Sequence, residues 1–168
     1  MSTQEHKALS PKKVSCMVIT VSDTRTEETD KSGDLMKQLL TEAGHDVALY
    51  KLVKDEPAQV IAAIEEGIAH SRVQVILLNG GTGISPRDNT FEAVSGLLEK
   101  EMPGFGELFR MLSYTEDIGS AAMLSRAVAG TRQGTMIFST PGSTGAVRLA
   151  MNKLIVPELG HVVRELNR

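Results

Sequence analysis

Apolar positions alternate between two kinds of pattern along the chain. Short β-branched or leucine-rich runs occupy residues 14–22, 73–78 and 135–139, with a looser one at Val47, Leu49, Leu52 and Val53. Runs of that length read as buried strands. Between them the apolar residues recur every three or four positions, which predicts helices. Leu35, Met36, Leu39 and Leu40 mark the first, and Val60, Ile61, Ile64 and Ile68 the second. Phe91, Val94, Leu97 and Leu98 mark a third, and Ala146, Leu149, Ala150 and Leu154 a later one. Strands alternating with helices predict an α/β chain, a three-layer α/β/α sandwich around a mainly parallel sheet.

Punctuation residues set the boundaries. Gly44 closes the first helix, while Pro57 suits the first turn of the second and Asp55 its cap. Residues 105–114 carry Leu108, Phe109, Met111 and Leu112, with three of the six aromatic side chains, Phe105, Phe109 and Tyr114. That stripe suits core packing or a subunit contact. Residues 118–129 read as a short helix, 130–134 as a turn, and Pro157 as the start of a last helix over 158–166. Residues 1–13 are polar and read as a flexible N-terminal arm, with 14–168 as a single domain.

Composition narrows the function. A net charge of −3 gives no support to nucleic-acid binding. No apolar run approaches the roughly 18 residues that span a membrane. The one cysteine, Cys16, lies in an apolar run, where packing is expected, and it cannot form an internal disulfide. A cytoplasmic protein fits that pattern.

The chemistry concentrates where strands stop. After residues 73–78 come Gly80, Gly81, Thr82 and Gly83, then Arg87, Asp88 and a helix. Strand, glycine loop and helix can aim backbone N–H groups at an anion, and glycine lets the backbone approach it closely. Arg87 adds a phosphate-binding cation and Asp88 a possible metal-binding carboxylate. A plain turn, with Asp88 or Asn89 capping the helix, is the competing reading. The glycine spacing matches neither a Walker loop nor a dinucleotide fingerprint. Thr20, Ser22 and Asp23 end the first strand, where they either face a ligand or shape a turn. Pro141, Gly142 and Ser143 form a second loop of the same kind after residues 135–139. Asp55 follows the second strand on the same expected rim.

Taken in order, Thr20-Val-Ser-Asp-Thr24, Gly80-Gly-Thr-Gly83 with Pro86-Arg-Asp88, Met123-Leu-Ser-Arg126 and Pro141-Gly-Ser143 form a set. It resembles the molybdopterin-binding family of the bacterial MogA and MoaB proteins and the G domain of gephyrin, over nearly the whole chain. Phe105-Gly-Glu-Leu-Phe-Arg110, Leu112-Ser-Tyr114 and Glu116-Asp-Ile-Gly-Ser120 look most like its MoaB-type members. The resemblance implies a mixed sheet with one antiparallel strand. It implies a homo-oligomer, a trimer or a hexamer made as a dimer of trimers, with the stretch around Phe109 as part of the contact. It implies work in molybdenum cofactor biosynthesis beside other proteins of that pathway, and a reaction in which Mg-ATP adenylylates molybdopterin. By the same resemblance, Asp55 and Asp88 are the catalytic carboxylates and Mg²⁺ ligands. Ser125, Arg126, Pro141, Gly142 and Ser143 lie near the pterin or its phosphate. Several catalytic relatives have asparagine where this chain has Ser143. A non-catalytic pterin carrier and a nucleotide pyrophosphate hydrolase stand as alternatives.

Overall fold

Successive side chains of a strand point to opposite faces of its sheet. In the computed structural model, which describes all 168 residues, that rule divides the interior in two. Along β1 (Ser15–Val21), Cys16 and Val18 enter one core while Met17, Ile19 and Val21 enter the other. β3 (Val75–Asn79) does the same, with Val75 and Leu77 opposite Ile76 and Leu78. These strands read as unbroken apolar runs because both faces are covered. Helices α2 (Lys31–Glu42) and α5 (Pro103–Glu116), with the C-terminal helical run, close the first core. Helices α3 (Pro57–Ala69) and α4 (Thr90–Leu97) close the second.

The other strands are β2 (Asp46–Val53), β4 (Lys100–Glu101), β5 (Val128–Arg132) and β6 (Thr135–Thr140). The sheet runs in the order β2-β1-β3-β6-β5-β4. β2, β1, β3 and β6 pair in parallel, and β5 runs antiparallel to both its neighbours. The expected α/β/α sandwich with a mainly parallel mixed sheet is what forms, and β5 is its reversed strand.

β5 also corrects two boundaries. Residues 118–129, expected as one short helix, hold only a 3-10 segment, Gly119–Leu124, and then give Val128 and Ala129 to the sheet. The expected turn over 130–134 shrinks to Gln133 and Gly134, both at positive φ (48° and 75°). That pair matches the right-handed twist of a hairpin joining β5 to β6. Gly130 stays in the strand because a Cβ there would run into the carbonyl oxygen of Lys100 on β4.

Pro157 does not begin a separate helix. α6 (Thr144–Ala150), a π turn (Met151–Ile155) and α7 (Val156–Leu166) form one continuous run. Proline lacks an N–H and crowds the preceding turn, and the widened turn before it takes up that misfit. Where a flexible arm is expected, Thr3–Ala8 form helix α1, opened by a Ser2–Glu5 capping box. Lys7 meets Glu158 of α7 at 2.5 Å and His6 meets Glu165 at 3.0 Å. No residue of α1 is buried, so polar contacts hold it down.

Phe105 and Phe109 are core side chains, with rings 6.3 Å apart and Phe105 edge-on to Phe138 at 5.1 Å. The apolar side chains that α5 leaves exposed are Leu108, Met111 and Tyr114, which shifts the expected contact away from Phe109 itself. No helix is long and apolar enough to cross a membrane.

Cys16 is fully buried, and burial pushes its thiol up to about 12, with a smaller contribution from Asp46. The thiolate is the reactive form. A thiol reagent in mildly alkaline buffer is therefore expected to leave the native protein unlabelled and to label it once unfolded. Rapid labelling of the native chain would contradict this burial.

Candidate functional site

The four parallel strands end on one rim. Ser22 and Asp23 follow β1, Asp55 follows β2, Gly80 to Gly83 follow β3, and Pro141 to Ser143 follow β6. Ligands of open α/β sheets sit at such carboxyl ends.

Glycine is required where these ends converge. Gly80 and Gly81 take consecutive positive φ angles of 106° and 71°. A Cβ on Gly80 would strike the carbonyl oxygen of Val21, and its N–H donates to Thr140 O at 3.0 Å. A Cβ on Gly81 would run into Thr90 Oγ1 and lie 2.5 Å from Asp55 Oδ2. The two glycine loops touch: a Cβ on Gly142 would stand 3.2 Å from Gly80 Cα.

Between the loops lies a pocket of about 270 Å³. Gly81, Thr82, Gly83 and Asp88 border it from one side and Pro141, Gly142 and Ser143 from the other. Ser113, Asp117 and Ser125 add to its polar wall, and Phe109, Ile118 and Leu124 are among its apolar side chains. Asp88 accepts the Ser85 N–H at 2.9 Å through one oxygen, Oδ2. Ser143 Oγ accepts the Ala146 N–H at 3.1 Å and so caps α6.

Other expected site residues stand behind this pocket. Asp55, only 5% exposed, accepts the Asn89 N–H at 3.1 Å. It does not cap α3; Glu56 holds that position, without a side-chain cap bond. Burial raises the Asp55 carboxyl above the usual carboxylate range, with help from the charges of Asp88 and Asp23 and against the Asn89 bond. Asp23 accepts the Asp55 N–H at 3.1 Å and receives Arg87 Nε and Nη2 at 2.9 and 3.1 Å. That guanidinium holds the Asp23 carboxyl below its ordinary value. Arg87 also donates to Glu56 at 2.7 Å, so the cation expected to meet phosphate is occupied by two carboxylates.

Arg126 acts as a strut. Nε donates to Gly83 O and Nη2 to Asp88 O, both at 2.9 Å, and Glu92 balances its charge. Its backbone N–H donates to Thr82 O at 3.0 Å. Ser22 shapes a turn, its Oγ accepting the N–H groups of Thr24 and Arg25. Thr20 is fully buried and accepts from Asn79 Nδ2 at 3.0 Å, inside the sheet rather than on the rim.

A polar network under the second loop escaped sequence reasoning. Arg25 Nη2 and Ser32 Oγ both donate to Gly142 O, at 2.7 and 2.6 Å. Arg25 Nη1 also reaches Asn79 Oδ1 at 3.4 Å and stands 3.7 Å from Asp30. Asp30 is fully buried; it caps α2 through the Gly33 N–H and accepts the Tyr50 hydroxyl at 2.5 Å. The partners of Asp30 come from distant segments, with no local signal. Asp117 and Ser113 on the pocket wall were likewise missed.

Residues 17–161 match the family model described as "Probable molybdopterin binding domain". Molybdenum cofactor biosynthesis protein B of Bacillus subtilis (strain 168) is 62% identical over 168 residues, which is 100% of this chain and 99% of that one. A crystal structure of Molybdenum cofactor biosynthesis protein B matches with a TM-score of 0.92 at 62% identity, covering 95% of this chain and 99% of that one. The tungsten cofactor synthesizing protein MoaB from Pyrococcus furiosus matches with a TM-score of 0.84 at 38% identity, covering 95% and 100%.

Proposed function

The chain belongs to the molybdopterin-binding domain family, and from that premise we propose that it works in molybdenum cofactor biosynthesis, binding molybdopterin at the rim and adenylylating it with Mg-ATP. One observation carries the proposal: both glycine loops and Asp88 border a single pocket. In the reaction a phosphate oxygen of the pterin bonds to the α-phosphorus of ATP, and the bond from that phosphorus to the departing pyrophosphate breaks.

Two anionic ligands must be held in line against their mutual repulsion. The amides of the Gly81–Gly83 loop and the Thr82 hydroxyl hold phosphate oxygens. Ser125 and Ser143 contact the pterin end. Arg87 and Arg126 keep the loop in shape from behind rather than touching phosphate, which their internal bonds support. Pre-set geometry of this kind is the main resource in phosphoryl transfer.

The residues fit a hard cation carried in with ATP. Asp88 keeps one oxygen free of Ser85, and Asp55 lies beside Thr90 Oγ1, a buried hydroxyl without a partner. All of these donors are oxygens, the set Mg²⁺ prefers. When bound, Mg²⁺ would offset phosphate charge at this acidic corner. The proposed assembly is a hexamer made as a dimer of trimers, with Leu108, Met111 and Tyr114 in a contact, and the proposed compartment is the cytoplasm. Solution mass measures the assembly.

The test is incubation with molybdopterin, ATP and Mg²⁺, followed by detection of adenylylated pterin and pyrophosphate. The expected result is product that depends on all three. Pterin binding without product would identify a carrier, and pyrophosphate release from nucleotide without pterin would identify a hydrolase.

A further inference from the structure

A second chemical cluster lies where α1 meets α7. His6, His161 and Glu165 bring their ligating atoms within 4.8 Å of one another. His161 and Glu165 are one helical turn apart and share a face of α7, while His6 arrives from α1, 159 residues before Glu165. His6 Nδ1 stands 3.0 Å from Glu165 Oε1, and His161 Nε2 stands 3.8 Å from the same oxygen. The two imidazoles meet edge-on with centroids 5.7 Å apart. Nothing in the rim chemistry uses these residues.

We propose that His6, His161 and Glu165 form a binding site for a divalent transition cation of the zinc type, which staples α1 onto α7. Imidazole nitrogens favour Zn²⁺, Co²⁺ or Ni²⁺ over Mg²⁺ or Ca²⁺. Two histidines and one carboxylate leave a fourth position for water in tetrahedral geometry. Zn–N bonds of about 2.1 Å put neighbouring ligands about 3.4 Å apart, so shifts of about an ångström complete the site. The surroundings add an independent sign. Glu158 Oε2 holds His161 Nδ1 at 2.9 Å, which leaves Nε2 facing Glu165. A carboxylate on the far ring nitrogen is how metal-bound histidines are commonly oriented.

Charge around the site is mixed. Glu158 faces His161, and Lys7 pairs with Glu158. Arg168 holds the other oxygen of Glu165 at 2.8 Å, while Oε1 faces the histidines and also Arg164 Nη1 at 3.5 Å. Arg164 Nη1 stands 3.0 Å from His6 Nδ1 and is the competitor that the metal displaces. His161 and Glu165 also border an apolar pocket of about 560 Å³, so an ion here would fix part of that pocket's wall.

The experiment is calorimetric titration of the full chain with Zn²⁺, paired with visible absorption of the Co²⁺ form. His6→Gln, His161→Gln, Arg164→Gln and Asp88→Asn are run in parallel, each first checked by thermal melting. A single Zn²⁺ per chain is expected, with affinity lower by about tenfold or more in either histidine variant. Intense tetrahedral Co²⁺ bands are expected to vanish with it. Arg164→Gln should tighten binding, and Asp88→Asn should leave it unchanged. Absence of binding would overturn the site. So would binding that survives both histidine variants, or that is lost in Asp88→Asn or Arg164→Gln.

Discussion

Replacing Asp88 with alanine is expected to remove adenylyl transfer while leaving the fold intact. The carboxylate borders the rim pocket, and its hydrogen bond to protein is one Ser85 N–H at 2.9 Å. Losing that bond costs stability only about 1 kcal/mol. In the proposed reaction, losing the second oxygen removes a ligand for the Mg²⁺ that accompanies ATP, and single preorganised groups of this kind are typically worth about a hundredfold or more in rate. Formation of adenylylated pterin should fall by that factor, with circular dichroism and melting temperature nearly unchanged. Unchanged turnover would strip Asp88 of its role. Asp88→Asn keeps an acceptor for Ser85 and should lose the same activity, which separates charge from loop shape.

The largest loss of stability is expected from Gly80→Ala. The residue sits at φ 106°, and its Cβ would strike the Val21 carbonyl oxygen, which belongs to a central strand. Positive-φ strain and overpacking together suggest about 2–5 kcal/mol. Gly96 in α4 gives the contrast, because a Cβ there meets nothing within 4 Å and its φ is ordinary. Gly96→Ala should be neutral or stabilising by up to about 1 kcal/mol, since alanine is the better helix former. Urea unfolding of the two variants measures the difference. Equal midpoints would mean that the ends of β1, β3 and β6 do not meet as tightly as described.

Residues whose environment is set by their neighbours in sequence were the legible ones. β1 and β3 announce themselves because an apolar run buried on both faces needs no partner to be recognised. The first glycine loop is legible for a related reason: Gly80 and Gly81 hold positive φ in crowded space, which favours glycine, and glycine shows in the sequence. β5 was hidden because its pairing with β6 and β4, rather than its own residues, makes it a strand. The same limit applies in the site. Arg87 looks like a phosphate ligand until Asp23 and Glu56 are seen to neutralise it. Arg126 likewise proves to be a strut between Gly83, Asp88 and Glu92. A cation in a sequence carries no mark of the carboxylate that will claim it. The place of Asp55 after β2 can be read from the chain, but its burial behind Gly81 depends on how α4 and the loop pack.

The two pockets offer the most direct measurement. One, about 270 Å³, lies between the glycine loops with polar side chains on its wall; the other is apolar, about 560 Å³, and lies beside α7. Molybdopterin titrated into isotope-labelled protein, followed by amide chemical shifts, reports which one it enters. Shifts at Gly81, Thr82, Gly83 and Ser143, with Leu108 and Leu154 unmoved, are the predicted result. Shifts confined to Leu108, Phe138 and Leu154, with the glycine loops silent, would contradict it.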